Sequence, residues 1–187
     1  MFKPILVLCV LFTSLKGQSK DAYDPPLTGI RVNVLWPFYP GDLYRIAMRH
    51  SLNEHSPYRT EGIVGLGISL PKNRDTEGRF SEQHVMVGVR QFFASPLNAE
   101  FGILIGPSKL ENHVSTKRDY KSQDINLQGA IGYEWMVASN WSLDLQAGLA
   151  KTVAKSDPWP IYKNDSLKEE VGEEIFPIGS INVTYWL

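Results

Sequence analysis

Apolar and polar residues alternate with a period of two along most of the chain. In the segment IRVNVLW, nearly every second residue is Ile, Val or Trp and the residues between them include Arg and Asn. Successive side chains of a β-strand point to opposite sides, so each such segment has one apolar face and one polar or small face. The pattern predicts eight strands, over Ile30–Trp36, Tyr44–Arg49, Ile63–Leu70, His84–Phe93, Glu100–Gly106, Asp124–Trp135, Trp141–Ala150 and Ile181–Leu187.

A helical reading requires apolar residues at spacings of three and four. The strict alternation in at least five segments does not provide them, and only the acidic stretch Ser166–Glu174 is suited to a helical turn. We therefore predict an all-β chain.

The connections between these strands alternate in length. Short connections follow the second, fourth and sixth strands, and longer polar ones follow the third, fifth and seventh; the first, at 37–42, is short. Short turns at one end and long loops at the other are typical of an eight-stranded antiparallel up-and-down transmembrane β-barrel, with both termini at the short-turn end. The predicted short connections are 53–59, 94–98 and 137–140, and the long loops are 72–82, 109–123 and 155–172.

The N-terminal segment is predicted to be a targeting signal. A basic start precedes an apolar stretch from Pro4 to Leu15, which is too short to span a bilayer. We predict a signal peptide over 1–17, a periplasmic N-terminal extension over 18–26 and the barrel domain over 27–187. The alternative is an uncleaved anchor. A lipoprotein cysteine at Cys9 is disfavoured because bulky Leu8 precedes it and the apolar stretch continues beyond it.

Composition narrows the possible functions. The 187 residues are 43% hydrophobic and 21% charged, with a formal net charge of −1, so nothing indicates nucleic-acid binding. A single Cys excludes a disulfide framework. After residue 17 the longest apolar stretch, at 62–71, has about half the length of a spanning helix, which leaves a closed barrel as the only membrane-spanning option.

The polar strand faces are predicted to fill the interior of the barrel. An eight-stranded barrel has room only for side chains inside, and buried charges must be paired. We predict an ion-pair and hydrogen-bond network that plugs the lumen and argues against an open pore. A catalytic carboxylate pair is the alternative, but no spacing singles one out. The network residues are Arg31, Arg45, Arg49, Arg90, Glu100, Glu134 and Asp144.

Aromatic residues cluster near the ends of the predicted strands. Such rings settle between lipid headgroups and hydrocarbon in membrane barrels, whereas core aromatics of a soluble sandwich are the other interpretation. The predicted membrane-interface aromatics are Trp36, Phe93, Phe101, Tyr133, Trp135, Trp141, Tyr185 and Trp186.

Motifs that carry chemistry are absent. The chain has no GxSxG, HExxH or CxxC sequence and no phosphate-binding glycine loop. His50 and His55 flank Glu54 near one turn, and four glutamates lie within Glu169–Glu174, but solvated segments explain both groups without a metal. We predict no enzymatic activity, no catalytic residue, no metal and no cofactor.

With these features the chain resembles the small outer-membrane β-barrel proteins of Gram-negative bacteria. The resemblance rests on Ile30–Trp36, on NLQGAIGYEW at 126–135 and on Ile181–Leu187. It implies an outer-membrane location, contact with outer-membrane lipid and insertion by the barrel-assembly machinery. It also implies that the loops contact a partner, whose identity is unknown. Members of this group usually end in Phe or Trp, and the terminal Leu187 departs from that pattern. The lipid-modifying enzymes of the group depend on a Ser and a His, for which no matching motif is found.

Three functions remain for comparison with the structure. The first is a non-enzymatic outer-membrane barrel with a structural or surface-interaction role carried by its loops. The second is an exported, lipocalin-like soluble barrel that binds a small apolar ligand, which requires an apolar interior. The third is a lipid-modifying enzyme at the rim.

Overall fold

A computed structural model of the chain describes residues 27–35, 43–53, 58–74, 78–94, 96–157 and 175–187. The described residues contain no helix long and apolar enough to cross a membrane. Their regular structure consists of eight strands, most of them longer than the alternation alone indicated. The strands are β1 (Thr28–Leu35), β2 (Leu43–Ser51), β3 (Thr60–Arg74), β4 (Gly78–Ala94), β5 (Leu97–Glu111), β6 (Tyr120–Ala138), β7 (Trp141–Lys155) and β8 (Ile175–Trp186).

The eight strands form one closed antiparallel sheet. Each strand pairs with its neighbours in chain order, and β8 pairs with β1 from Gly29↔Trp186 to Leu35↔Ile181. Closure leaves no unpaired sheet edge. The prediction of an all-β, eight-stranded, up-and-down barrel is therefore confirmed.

The two faces of the strands have the predicted orientation. Val32 is 41% exposed on the outside, whereas neighbouring Arg31 is 5% exposed and Gln128 on β6 is 6% exposed. Because side chains alternate across a strand, this relation repeats around the barrel. The polar face is inside and the apolar face is outside.

The three connections that were predicted to be short lie at one end of the barrel, here called the short-turn end. Connections of only two residues, 95–96 and 139–140, join β4 to β5 and β6 to β7. Trp186 donates its backbone N–H to the Asn140 carbonyl, and Leu187 donates to that of Thr28. Both ends of the described barrel therefore lie at the short-turn end, as predicted.

The opposite, loop end differs from the sequence prediction. Most of the expected loop 72–82 is strand, since β3 and β4 continue to a connection of only three residues, 75–77. Similarly, β5 and β6 extend into the expected loop 109–123 and leave 112–119 as the connection. Inward positions continue to be buried there, with Phe80 and Leu110 packed together beside Tyr120. The sequence does not predict this continuation of the strands, because the residues on their outward face are polar there.

Several predicted segments lie outside the described residues. They are the signal peptide 1–17, the extension 18–26, most of the loop 155–172 and the helical turn Ser166–Glu174.

Candidate functional site

The barrel interior is filled by side chains in successive layers. Nearest the short-turn end, Trp186 and Phe92 are fully buried, followed by a cluster of arginines and carboxylates. An apolar layer lies beyond that cluster, and a second polar region leads to the loop end. The charged cluster is the strongest candidate for a functional site. Arginine, glutamate and aspartate are seldom buried in proteins, and here several of them are buried together.

Arg49 on β2 joins the two sides of the charged cluster. Its guanidinium Nη2 lies 2.5 Å from Glu61 Oε2 and 2.7 Å from Glu134 Oε2, and none of the three side chains is exposed. Its Nη1 donates to the hydroxyl of Thr184 at 2.9 Å. These contacts link strands β2, β3, β6 and β8 across the interior.

Arg90 on β4 contacts three carboxylates. Its nitrogen atoms lie 2.6 Å from Glu100, 2.7 Å from Glu134 and 2.8 Å from Asp144. Glu100 in turn accepts two hydrogen bonds from Arg31, at 2.6 and 3.0 Å. This fork geometry is the strong, bidentate form of an arginine–carboxylate contact.

The charges of the cluster balance. Four arginines meet four carboxylates, so the formal charge is zero; the members are Arg31, Arg49, Arg59, Arg90, Glu61, Glu100, Glu134 and Asp144. A neutral, densely paired group offsets the several kcal/mol per ion that burial costs. The arrangement suits a plug: every carboxylate in it already contacts an arginine.

Two members of the cluster were missed from the sequence. Arg59 precedes β3, and its Nε lies 2.8 Å from Glu61 Oε1. Glu61 is fully buried two residues before Ile63, where the predicted third strand began. Continuing the alternation backwards by one step would have placed Glu61 inside.

An apolar layer separates the charged cluster from the loop end. Ala47, Ile63, Met86 and Leu104 are each at most 4% exposed and form one contact group. They come from four consecutive strands, β2 to β5. On this half of the barrel they lie between the charged cluster and the loop end.

Arg45 lies inside the barrel but at a different level from Arg49. Its Nη1 donates to Gln128 Oε1 at 2.9 Å, beyond the apolar layer from Arg49. Ala47 lies between the two arginines on β2, and each two-residue step along a strand moves an inward side chain by about 7 Å. Arg45 is therefore placed apart from the cluster that contains Arg31, Arg49 and Arg90.

Two glycines of the inward face make room for neighbouring side chains. A Cβ on Gly67 would lie 2.3 Å from His84 Nε2, and one on Gly132 would lie 3.0 Å from Asp144 Oδ1.

A second polar region lies between the apolar layer and the Phe80–Leu110 pair at the loop end. Lys155 donates to Asp124 at 2.5 Å and to Ser108 at 3.2 Å. In the described ranges, no group of three or more His, Cys, Asp or Glu residues could hold a metal ion. His55 and Glu54, considered above with His50, lie outside those ranges.

Six of the eight predicted interface aromatics lie on the outer surface. Phe93, Phe101, Trp141 and Tyr185 are 41–50% exposed, and the Trp141 and Tyr185 rings are 4.9 Å apart. Tyr133 and Trp135 are half-buried, with ring centroids 5.7 Å apart. Trp36 lies outside the described residues.

Trp186 is the exception, and its prediction as an interface residue was wrong. Its side chain is inside the barrel and fully buried. The alternation of β8 places it on the face of Asn182 and Thr184, opposite exposed Tyr185. Gly29 permits this placement, because a Cβ there would lie only 2.8 Å from Trp186 Cε3.

The buried indole completes the charged cluster. Its Nε1–H donates to Ser142 Oγ at 3.0 Å, and Ser142 donates to Glu134 Oε1 at 2.5 Å. The guanidinium carbons of Arg49 and Arg59 lie 4.7 and 4.6 Å from the Trp186 ring centroid, within cation–π distance. Trp186 thus closes the charged cluster towards the short-turn end.

Comparison with known proteins assigns no family. No family model, curated protein or solved structure matches this chain. The functional argument therefore depends on the geometry of the barrel itself.

Trp186→Phe is expected to lower the free energy of unfolding by about 1–2 kcal/mol, because it removes a buried hydrogen bond and part of the cation–π surface. Denaturant unfolding followed by circular dichroism measures the loss. Trp141→Phe is the matched control on the outer surface and should change stability by no more than about 0.5 kcal/mol. Equal effects of the two changes would contradict the role of the buried indole.

Proposed function

We propose that this chain is a non-enzymatic, membrane-spanning β-barrel of the outer membrane, with a closed polar interior and a structural or surface-interaction role carried by its loops. The observation that carries the proposal is the inverted polarity of the barrel. Paired charges fill its interior, while large apolar side chains cover its exterior. Exposing such an apolar exterior to water costs free energy, whereas contact with lipid does not.

The exposed apolar surface extends around the barrel. On β3 it includes Val64, Leu66 and Ile68, each 44–60% exposed, and equivalent residues lie on the other strands. Along β5, outward positions from Leu97 to Pro107 carry only Ala, Phe, Ile, Leu or Pro. Ten residues at about 3.3 Å each, inclined by about 45°, span roughly 23 Å, close to the ~25 Å apolar band of membrane barrels.

The side chains inside the barrel favour a filled lumen over an open channel. The charged cluster is neutral and paired on every member, and the apolar layer lies directly above it. The same features disfavour a lipocalin-like carrier, which needs an apolar cavity for its ligand.

The connection 112–119 is the best described candidate for a surface contact. His113 is buried and its ring meets Tyr120 edge to face, with centroids 5.7 Å apart. Backbone hydrogen bonds between His113 and residues Lys117 and Arg118 hold the loop compact. Val114 is 41% exposed beside these basic residues. The loop thus presents an ordered, partly apolar and basic surface to a partner.

Fractionation tests the proposal. We expect the full-length protein, expressed in a Gram-negative host, to be found in the outer-membrane fraction and to require detergent for extraction. We also expect its electrophoretic mobility to change on boiling, since closed barrels resist unfolding by cold detergent. A protein that remains soluble without detergent would refute the proposal, and a soluble barrel expressed in the same way is the control.

A further inference from the structure

Two adjoining depressions mark the outer wall of the barrel. The first, here called the apolar groove, has a volume of about 630 Å³ and extends from Val32 on β1 to Ile105 on β5. Most of its lining is apolar, and Arg45 and His84 of the inward face also contribute to it. The second, here called the polar pocket, has a volume of about 410 Å³ and lies over β4, β5 and β6. Gln83 and Pro107 line both, so the two form one continuous cleft.

The apolar groove follows one row of cross-strand neighbours. Its five central residues lie on five consecutive strands, each is paired with the next, and all are 41–60% exposed. The row is Val32, Ile46, Leu66, Val85 and Ile105. Neighbouring strands are about 4.8 Å apart, so the row runs roughly 19 Å across the wall. This length and the apolar lining suit an acyl chain.

The polar pocket carries positive charge at the loop end of the groove. Lys109 and Lys121 are cross-strand partners on the outer face, and Ser81 pairs with Lys109 on the other side. Hydroxyl and amide groups of Ser156, Gln83 and Gln123 complete the lining. These donors and cations suit a phosphate group.

The outward charges near the pocket leave a positive excess. On the described parts of β4, β5 and β6 beyond the groove, the outward charged residues are Arg79, Lys109, Lys121 and Glu111. Glu111 forms an ion pair with Lys109 and lies 3.9 Å from Arg79. Glu82, the acid in the pocket lining, is 6% exposed and belongs to the inward face. These four residues have a formal charge of +2, and exposed Asp157, next to Ser156 of the lining, reduces the local excess to +1.

We propose that this cleft binds one membrane lipid with an anionic phosphate headgroup. The phosphate lies against Lys109 and Lys121, and an acyl chain follows the apolar groove. The inference depends on the proposed function, because it needs the outer wall to face lipid. It adds two features to the proposed function: a single binding position on the barrel and a negatively charged headgroup. General contact with membrane lipid requires neither of them.

Native mass spectrometry of the full chain in neutral detergent micelles tests the proposal. The probes are phosphatidylglycerol, phosphatidylcholine with the same acyl chains, and inorganic phosphate. We expect one phosphatidylglycerol per chain, weaker binding of phosphatidylcholine, and no displacement by phosphate. Each lysine near an anionic group contributes about 1 kcal/mol, so Lys109→Gln with Lys121→Gln should weaken phosphatidylglycerol binding about 30-fold. The control, Lys117→Gln with Arg118→Gln, removes two loop cations and should have little effect.

A second pair of variants tests the groove. Ile46→Trp fills it and should weaken binding of both lipids, whereas Met48→Trp, at the next outward position of β2, should not. Equal binding of both lipids with no effect of the lysine changes would overturn the proposal, as would complete displacement by inorganic phosphate. A soluble protein in the fractionation experiment would instead refute the proposed function, so the two failures are distinguishable.

Discussion

Arg90→Met is expected to lower the free energy of unfolding by about 3–5 kcal/mol. The change removes a cation that lies 2.6–2.8 Å from Glu100, Glu134 and Asp144, all with side chains no more than 4% exposed. It leaves an excess negative charge inside the barrel, and the desolvation cost of that charge is no longer offset. Urea unfolding of the protein in lipid vesicles, followed by circular dichroism, measures the loss.

A double-mutant cycle tests whether charge balance is the cause. Adding Asp144→Asn to Arg90→Met restores the cluster to three arginines and three carboxylates, and it should recover at least half of the lost stability. Arg79→Met is the control for arginine removal, because Arg79 is 54% exposed and has one distant carboxylate at 3.9 Å; its effect should be below about 0.5 kcal/mol. A double variant less stable than Arg90→Met would contradict the charge-balance explanation.

If the proposed membrane-spanning function is correct, Val87→Arg should destabilise the barrel in vesicles by about 2–4 kcal/mol, because an arginine in the middle of a lipid-facing band must leave water. Val87 is 56% exposed, and its cross-strand partners are Val64 and Ile103. A soluble barrel would tolerate a charge at so exposed a position. The measurement is urea unfolding in vesicles, repeated in detergent micelles, where water reaches the side chain more easily and the loss should be smaller.

Val114→Arg is the matched control for this prediction. Val114 is also exposed, at 41%, but lies in the connection 112–119 beyond the strands. Its replacement should change stability by less than about 0.5 kcal/mol. If Val87→Arg proved as mild as this control, the lipid-facing assignment of the outer wall would be refuted.

The residues of the charged cluster were largely predictable, but their pairing was not. Alternation places Arg31, Arg49 and Arg90 on the inward face, and charge burial requires carboxylate partners. Which carboxylate meets which arginine depends on the relative displacement of all eight strands. Arg49 and Glu134 are separated by 85 residues, and only the closed barrel brings their side chains together.

The errors have a common origin. The aromatic character of Trp186 predicts a place at the membrane interface, although its position in the alternation of β8 places it inside. The polar residues of 72–82 predict a loop, although most of the segment continues β3 and β4. In both cases position along the strand, and not residue type, decides the outcome.

The sequence alone determined the positions of the eight strands but not their full lengths, which face of each is apolar, and most of the charges that point inward. It could do so because the direction of a side chain along a strand is a local property of the backbone. The tertiary structure alone decided the pairing within the charged cluster, the closure of that cluster by Trp186, and the cleft that five strands form on the outer wall. These depend on register and closure, which bring distant segments into contact and have no counterpart in the local pattern.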